Sequence, residues 1–115
     1  MTLYNWNLLE DEPLNPRISR KAIHGGALSV ARLHLLESAV VPEHSHAHEQ
    51  LSMVESGALK FHIGGAEQIV RAGEALLILP HEPHAVEALE ETFVTDVFSP
   101  AREDWIRGDD AYLRR

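Results

Sequence analysis

From residue 28 onward, short apolar runs alternate with turn residues, and no run keeps a helical period for long. Runs rich in aliphatic or β-branched residues fall at 28–36, 40–42, 51–55, 59–63, 68–71, 75–79, 85–89 and 93–98. Runs of this length, separated by Gly, Pro or acidic residues, predict an all-β sandwich or barrel. Gly64-Gly65 sits between two of them and reads as a tight hairpin turn needing positive φ. Ser56-Gly57 reads as another turn. After residue 98 the pattern changes. Ser99-Pro100 suits an N-cap and first helical position, which predicts a short helix over 101–107 stopped by Gly108. Residues 1–20 hold Pro13 and Pro16 and little periodicity, and are expected to lie as an arm over the barrel or a neighbouring subunit. Eight strands and one late helix point to a small jelly roll. The expected organisation is a single domain over 1–115, with the arm at 1–20, the barrel at 28–98 and a helix and tail at 99–115.

Composition narrows the function classes. A chain of 115 residues buries one core. No stretch approaches a membrane span, and the N-terminus MTLYNWNLLEDEP lacks the basic and apolar regions of a secretory signal. There is no cysteine, which excludes a disulfide scaffold, an iron–sulfur cluster and a thiol nucleophile. A cytoplasmic protein is the expectation. The net charge of −8 argues against nucleic acid. Arg17, Arg20, Lys21, Arg114 and Arg115 are expected to be solvated surface.

Candidate chemistry concentrates in PEHSHAHEQ, residues 42–50. On a strand, His44 and His46 would face one side with Cα atoms roughly 6.6 Å apart. Two such imidazoles can converge on one cation. His48 shares their parity, so alternation alone leaves it a possible third. A second stretch is VTDVFSPAREDW, residues 94–105. Asp96 and Phe98 share a face there, and Arg102 follows. By spacing alone, the favoured reading is an Asp–Arg ion pair tying the helix to the barrel, with Phe98 in the core. Acid–base work on a carboxylate substrate is the other reading.

The wider spacing carries a resemblance. Ser38, His44, His46, Gln50 and Gly57 form one block, and Gly73, Leu79-Pro80 and His84 a second. Together they resemble the paired motifs of the cupin superfamily, over about residues 28–98. Ser38 and His81 stand where that pattern usually has glycine, and Gln50 where it usually has glutamate. Glu49 has the wrong parity to replace Gln50. The resemblance implies that His44, His46, Gln50 and His84 hold one divalent ion (zinc, nickel, iron or manganese). It also implies a chain turn near Ala47, which would leave His48 at the pocket rim or behind the ligands. His24, His34, His62 and His81 lack such partners and are expected at the surface or as satisfied core. Neutral ligands would leave the ion's charge uncancelled, so it would attract an anion.

HSHAHEQ, VEALEETFVTDVFSPAREDW and RGDDAYLRR are further similar to the pectin-degradation cupins. That likeness implies conversion of cyclic 4,5-unsaturated monomeric uronates into linear keto sugar acids. Asp96, Phe98 and Arg102 would be tied to activity, the substrate would be a small anionic sugar acid, and the chains would pair as homodimers. Rival readings are a cupin oxygenase acting on a small organic acid and a non-catalytic sugar-binding cupin. A sulfur-compound lyase relying on a tyrosine base is disfavoured, because the two tyrosines, Tyr4 and Tyr112, lie at the ends of the chain.

Overall fold

The computed structural model describes residues 1–115. Ten strands form two antiparallel sheets. They are β1 (Glu12–Asn15), β2 (Ile18–His24), β3 (Ser29–Leu35), β4 (Val40–His44), β5 (Glu49–Ser56), β6 (Ala58–Ile63), β7 (Ala66–Arg71), β8 (Ala75–Ile78), β9 (His84–Ala88) and β10 (Thr92–Ser99). One sheet runs β1-β2-β3-β10-β5-β8 and the other β4-β9-β6-β7. This is the expected all-β jelly roll. No helix is long and apolar enough to cross a membrane.

Alternation decides which faces meet. Along β3, Ala31, Leu33 and Leu35 are buried while Arg32 is exposed. Along β10, Val94, Asp96 and Phe98 point inward with them, because the register sets Asp96 opposite Ala31 and Val94 opposite Leu33. Leu59, Phe61 and Val70 close the core from the smaller sheet. Each such apolar side chain contributes about 1.5–3 kcal/mol by leaving water. Of the polar side chains at inward positions, Gln50, His84 and Asp96 line one cavity, and the site forms there.

Three sequence expectations need correction. The arm is partly sheet: β1 and β2 form a hairpin that pairs with β3. Prolines and weak alternation masked it, and Pro13 is tolerated because β1 is an edge strand. The helix is one turn, α1 (Glu103–Ile106), and its N-cap is Arg102, not Ser99, which still belongs to β10. Arg20 is buried rather than solvated. It pairs with Glu12 at 2.9 Å and Asp110 at 2.8 Å, and lies 4.4 Å over the Trp105 ring.

The turns explain where glycine matters. Gly57 has φ 89°, and a side chain there would collide with the Glu91 carbonyl and the Thr92 hydroxyl. Ser38 and His81, the two positions where glycine was expected, have φ of 74° and 64°. An L-residue in that region carries strain of about 1–2 kcal/mol. Gly57→Ala should therefore lower the melting temperature by the equivalent of more than about 2 kcal/mol. Ser38→Gly should leave it level or raise it, both read in thermal denaturation.

Candidate metal centre

His44 ends β4, His46 stands in the following loop, and His84 begins β9. His44 and His84 are direct partners across the β4–β9 pair, with ring centroids 4.2 Å apart. The His46 ring lies 5.0 Å from His84 and 5.7 Å from His44. One nitrogen from each ring lies within 4.8 Å of the other two.

Backbone carbonyls orient all three rings. Nδ1 of His44 donates to the Pro42 carbonyl at 2.8 Å, that of His46 to His48 at 3.1 Å, and that of His84 to Glu82 at 2.7 Å. A carbonyl only accepts, so each Nδ1 carries the hydrogen and each neutral ring offers Nε2 as a lone pair. Burial above all lowers the pKa of both His44 and His46 to about 4; the Arg102 charge adds to it, while hydrogen bonding to Pro42 and Gln50 opposes it. Burial also lowers that of His84. At neutral pH these are bases without protons to share at Nε2.

Nε2 of His84 is buried without a partner. Nε2 of His46 faces Gln50 Oε1 at 3.0 Å, while the Gln50 amide nitrogen donates to Ser52 Oγ at 3.0 Å. A nitrogen lone pair and an amide oxygen facing each other suit a cation beside them. The three imidazoles can thus hold a metal ion. Gln50, on β5, sits where its oxygen could join them. His48 is outside the group whose nitrogens converge, though its ring stands 5.3 Å from His46, with Phe98 at 6.4 Å. His24 bonds Ser29, His34 stacks on Phe93 and pairs with Glu91, and His62 lies beside Glu67.

A partly open cavity adjoins the cluster; its polar lining comes from His44, Gln50, His84, Asp96, Arg102 and Tyr112, and the rest is mainly apolar. Asp96 is buried, and its Oδ1 has no partner. Burial raises its pKa to about 6, against the opposing effects of the Ser52 hydrogen bond and the Arg102 charge. Phe98 pairs with Gln50 across β10 and β5, and its ring stands edge-on to His46 at 5.9 Å.

Arg102 is 1% exposed. The Asp96–Arg102 ion pair favoured from spacing does not form. Arg102 instead takes Asp104 in a fork, with Nε at 3.0 Å and Nη2 at 2.8 Å, because Asp104 is next along the turn and reaches both nitrogens. Its guanidinium lies 4.7 Å over Phe98 and 4.3 Å over Trp105. Burial works against this charge, but Asp104 and Tyr112 raise the Arg102 pKa and keep it protonated.

Tyr112 was set aside as terminal, yet the tail returns it to the site. Its ring stacks on His44 at 4.6 Å, and its hydroxyl accepts from Arg102 Nη2 at 2.8 Å. The signal lay in RGDDAYLRR: an aromatic–aliphatic pair, Tyr112-Leu113, inside a charged tail marks an anchor that docks. Leu113 is indeed in the core.

A family described as Cupin domain matches residues 31–98. The pectin degradation protein KdgF of Dickeya dadantii (strain 3937) is 33% identical over 98 residues, covering 83% of this chain and 89% of that protein. The solved structure of KdgF from Halomonas sp. superposes with a TM-score of 0.85 at 28% identity, over 91% of this chain and 98% of the other. An RmlC-like cupin from Shewanella frigidimarina NCIMB 400 also gives 0.85, at 24% identity over 91% and 96%, which speaks to fold alone.

Purified protein is expected to carry close to one divalent ion per chain by elemental analysis. His84→Ala should weaken metal binding by at least about 100-fold, since it removes a ligand rather than a supporting contact. Wild type should melt higher on metal addition, by about 2.7 kcal/mol of stabilisation at one hundred times Kd. Melting that ignores both metal and chelator would count against the cluster.

Proposed function

The chain belongs to the cupin family, and from that premise we propose that it opens and ketonises 4,5-unsaturated monomeric uronates. The likeness to the two KdgF proteins supports this reading. The observation that carries it is one cavity lined by His44 and His84 of the imidazole cluster, by Asp96 with its unpartnered carboxyl oxygen and by the buried guanidinium of Arg102.

The substrate is an enol ether with a carboxylate and a ring hemiacetal. Converting it to a linear keto acid adds and removes no atoms. One proton leaves the anomeric hydroxyl and one arrives at C4. A divalent ion held by His44, His46, His84 and Gln50 would polarise sugar oxygens and keep its full charge, because all four donors are neutral. Arg102 binds the substrate carboxylate: Nε and Nη2 are committed to Asp104 and Tyr112, while Nη1 makes no hydrogen bond within the protein. Asp96 takes the hemiacetal proton as carboxylate and returns a proton to C4 as acid. A carboxyl that titrates near pH 6 can serve in both forms at neutral pH. Phe98 presses an apolar wall against the His46 ring and the Arg102 guanidinium, which keeps water from both.

We further propose a cytoplasmic homodimer. Ile23, Val30, Val97, Leu51 and Leu77 lie in register across five strands of the larger sheet and on its outer face. An apolar row of that length on an outer face fits a second copy of the chain. Val97→Glu should shift the species seen in sedimentation from dimer to monomer.

Metal-loaded protein should erase the ultraviolet absorbance of the unsaturated monomer far faster than buffer, with a rate that rises with pH through an ionisation near 6. Asp96→Asn should lose at least about 100-fold in kcat with metal retained. Since burial raises this carboxyl from 3.8 to about 6, its ionisation destabilises the fold as pH climbs through that window, fully so above 6. Asp96→Asn should therefore melt higher at pH 7, by up to about 3 kcal/mol of stability. Metal-loaded protein that leaves the uronate unchanged would return the choice to an oxygenase or a sugar-binding module.

A further inference from the structure

The C-terminal tail is built into the site rather than laid over it. Asp110 is 1% exposed and binds Arg20 at 2.8 Å and Arg114 at 2.9 Å. Asn15 Nδ2 donates to the carbonyls of Leu113 and Arg115 at 3.1 and 3.2 Å. Leu113 is seated in the core. These contacts hold Tyr112 on both sides in sequence and fix its ring against His44.

The hydroxyl of Tyr112 has an unusual set of neighbours. Arg102 Nη2 lies at 2.8 Å and Trp105 Nε1 at 3.3 Å. Guanidinium and indole nitrogens can only donate, so both lone pairs of the phenol oxygen are occupied. Its own hydrogen can go to neither partner, and no acceptor in the protein takes it. Tyr112 lines the same cavity as Asp96, so this hydrogen, beside those of Arg102 Nη1, is free for a bound molecule.

We propose that Tyr112 is a further catalytic residue, the proton donor to the ring oxygen as the uronate ring opens; this rests on the uronate reading above. In a 4,5-unsaturated uronate, the carbon that bears the carboxylate also bears the ring oxygen. A hydroxyl bonded to the carboxylate-binding Arg102 therefore stands beside the ring oxygen of the same substrate. Asp96 takes the proton of the anomeric hydroxyl, the C1–O bond to the ring oxygen breaks, and a carbonyl forms at C1. The electron pair goes to the ring oxygen, which receives the Tyr112 proton and becomes an enol. In the second half the enol proton returns to the Tyr112 phenolate, held meanwhile by the Arg102 and Trp105 N–H groups. C4 takes the proton kept on Asp96. The net change is one proton moved from oxygen to carbon, and Tyr112 ends as it began.

The test uses the full-length, metal-loaded protein and the unsaturated uronate monomer. Tyr112→Phe keeps the ring on His44 and removes the hydroxyl. Its kcat should fall about 100-fold or more with KM within twofold and metal content unchanged. A raised KM with kcat retained would mean that Tyr112 only positions Arg102, and would overturn the proposal, as would no change at all. Because the chain has two tyrosines, biosynthetic fluorotyrosine in a Tyr4→Phe background labels Tyr112 alone and needs no loss of its hydroxyl. Each added fluorine changes the acidity of the hydroxyl and should change kcat with KM held, and the fluorine resonance should shift when substrate binds. A kcat indifferent to fluorination overturns the proposal even if Tyr112→Phe fails to fold. Wild type inactive on the uronate would bring down the functional reading and this inference together; active wild type with an equally active Tyr112→Phe would bring down this inference alone.

Discussion

A guanidinium taken almost wholly out of water sets the terms for this end of the barrel. Burying an unpaired charge costs several kcal/mol, so Arg102 has to be matched on every side. Asp104 supplies the opposite charge in a two-point fork, Phe98 and Trp105 supply ring faces, and Tyr112 supplies an oxygen. Three of these four groups come from the segment after β10. The C-terminal turn and tail are therefore not an appendage: the charge in the barrel mouth holds them in place, and they keep that charge dry. Trp105 carries a second guanidinium, Arg20, on its ring, and Arg20 in turn binds Asp110 of the tail and Glu12 of the first hairpin. Both ends of the chain meet around one indole.

The same charge acts on the histidines. Burial alone holds His44 and His46 unprotonated at neutral pH, and the positive field of Arg102 works in the same direction. Three rings that cannot take a proton at Nε2, each with Nδ1 tied to its own stretch of backbone, are preorganised for a cation at low cost. Gln50 keeps that set neutral. A glutamate in its place would bring a negative charge into contact with His46 and raise the ring's affinity for a proton. On the proposed reading the proton chemistry falls to groups outside this set, and Asp96 is the buried carboxyl in the same cavity.

How much of this could be read beforehand follows from the range of each interaction. Strand alternation is local, so β3, β6 and β10 emerged within a residue or two, and the His44–His46 pair with them. The inward parity of Asp96 and Phe98 was equally legible. The β1–β2 hairpin was not, because Pro13 and Pro16 break its pattern and its pairing to β3 is settled by tertiary contact. Arg20 looked like a surface cation since neither partner shows in local spacing: Glu12 reaches it only through the β1–β2 hairpin, and Asp110 lies ninety residues away. Asp96 and Arg102 looked like a pair because only their spacing was visible, whereas Asp104 wins by reaching both nitrogens of the fork. Tyr112 was discounted for its position near the end of the chain, a quantity with no physical bearing on where the fold returns it.

The buried polar atoms that lack partners fall mainly around this site: His84 Nε2, Asp96 Oδ1 and, just behind them, His48 Nδ1. Such an atom costs about 1–3 kcal/mol each in a folded protein. The two strained backbone positions, Ser38 and His81, flank the strands that deliver the imidazoles, and His81 is tied to the His46 carbonyl through its own N–H at 2.7 Å. His84 and Asp96 line one cavity, so much of the molecule's unmet polar demand meets there. That demand is of two kinds. The imidazole and amide lone pairs ask for a cation, while the Asp96 carboxylate asks for a hydroxyl and the Arg102 and Tyr112 hydrogens ask for an anion or an ether oxygen. A metal alone satisfies the first kind and an anionic sugar the second, which is why a site so built gains from holding both at once.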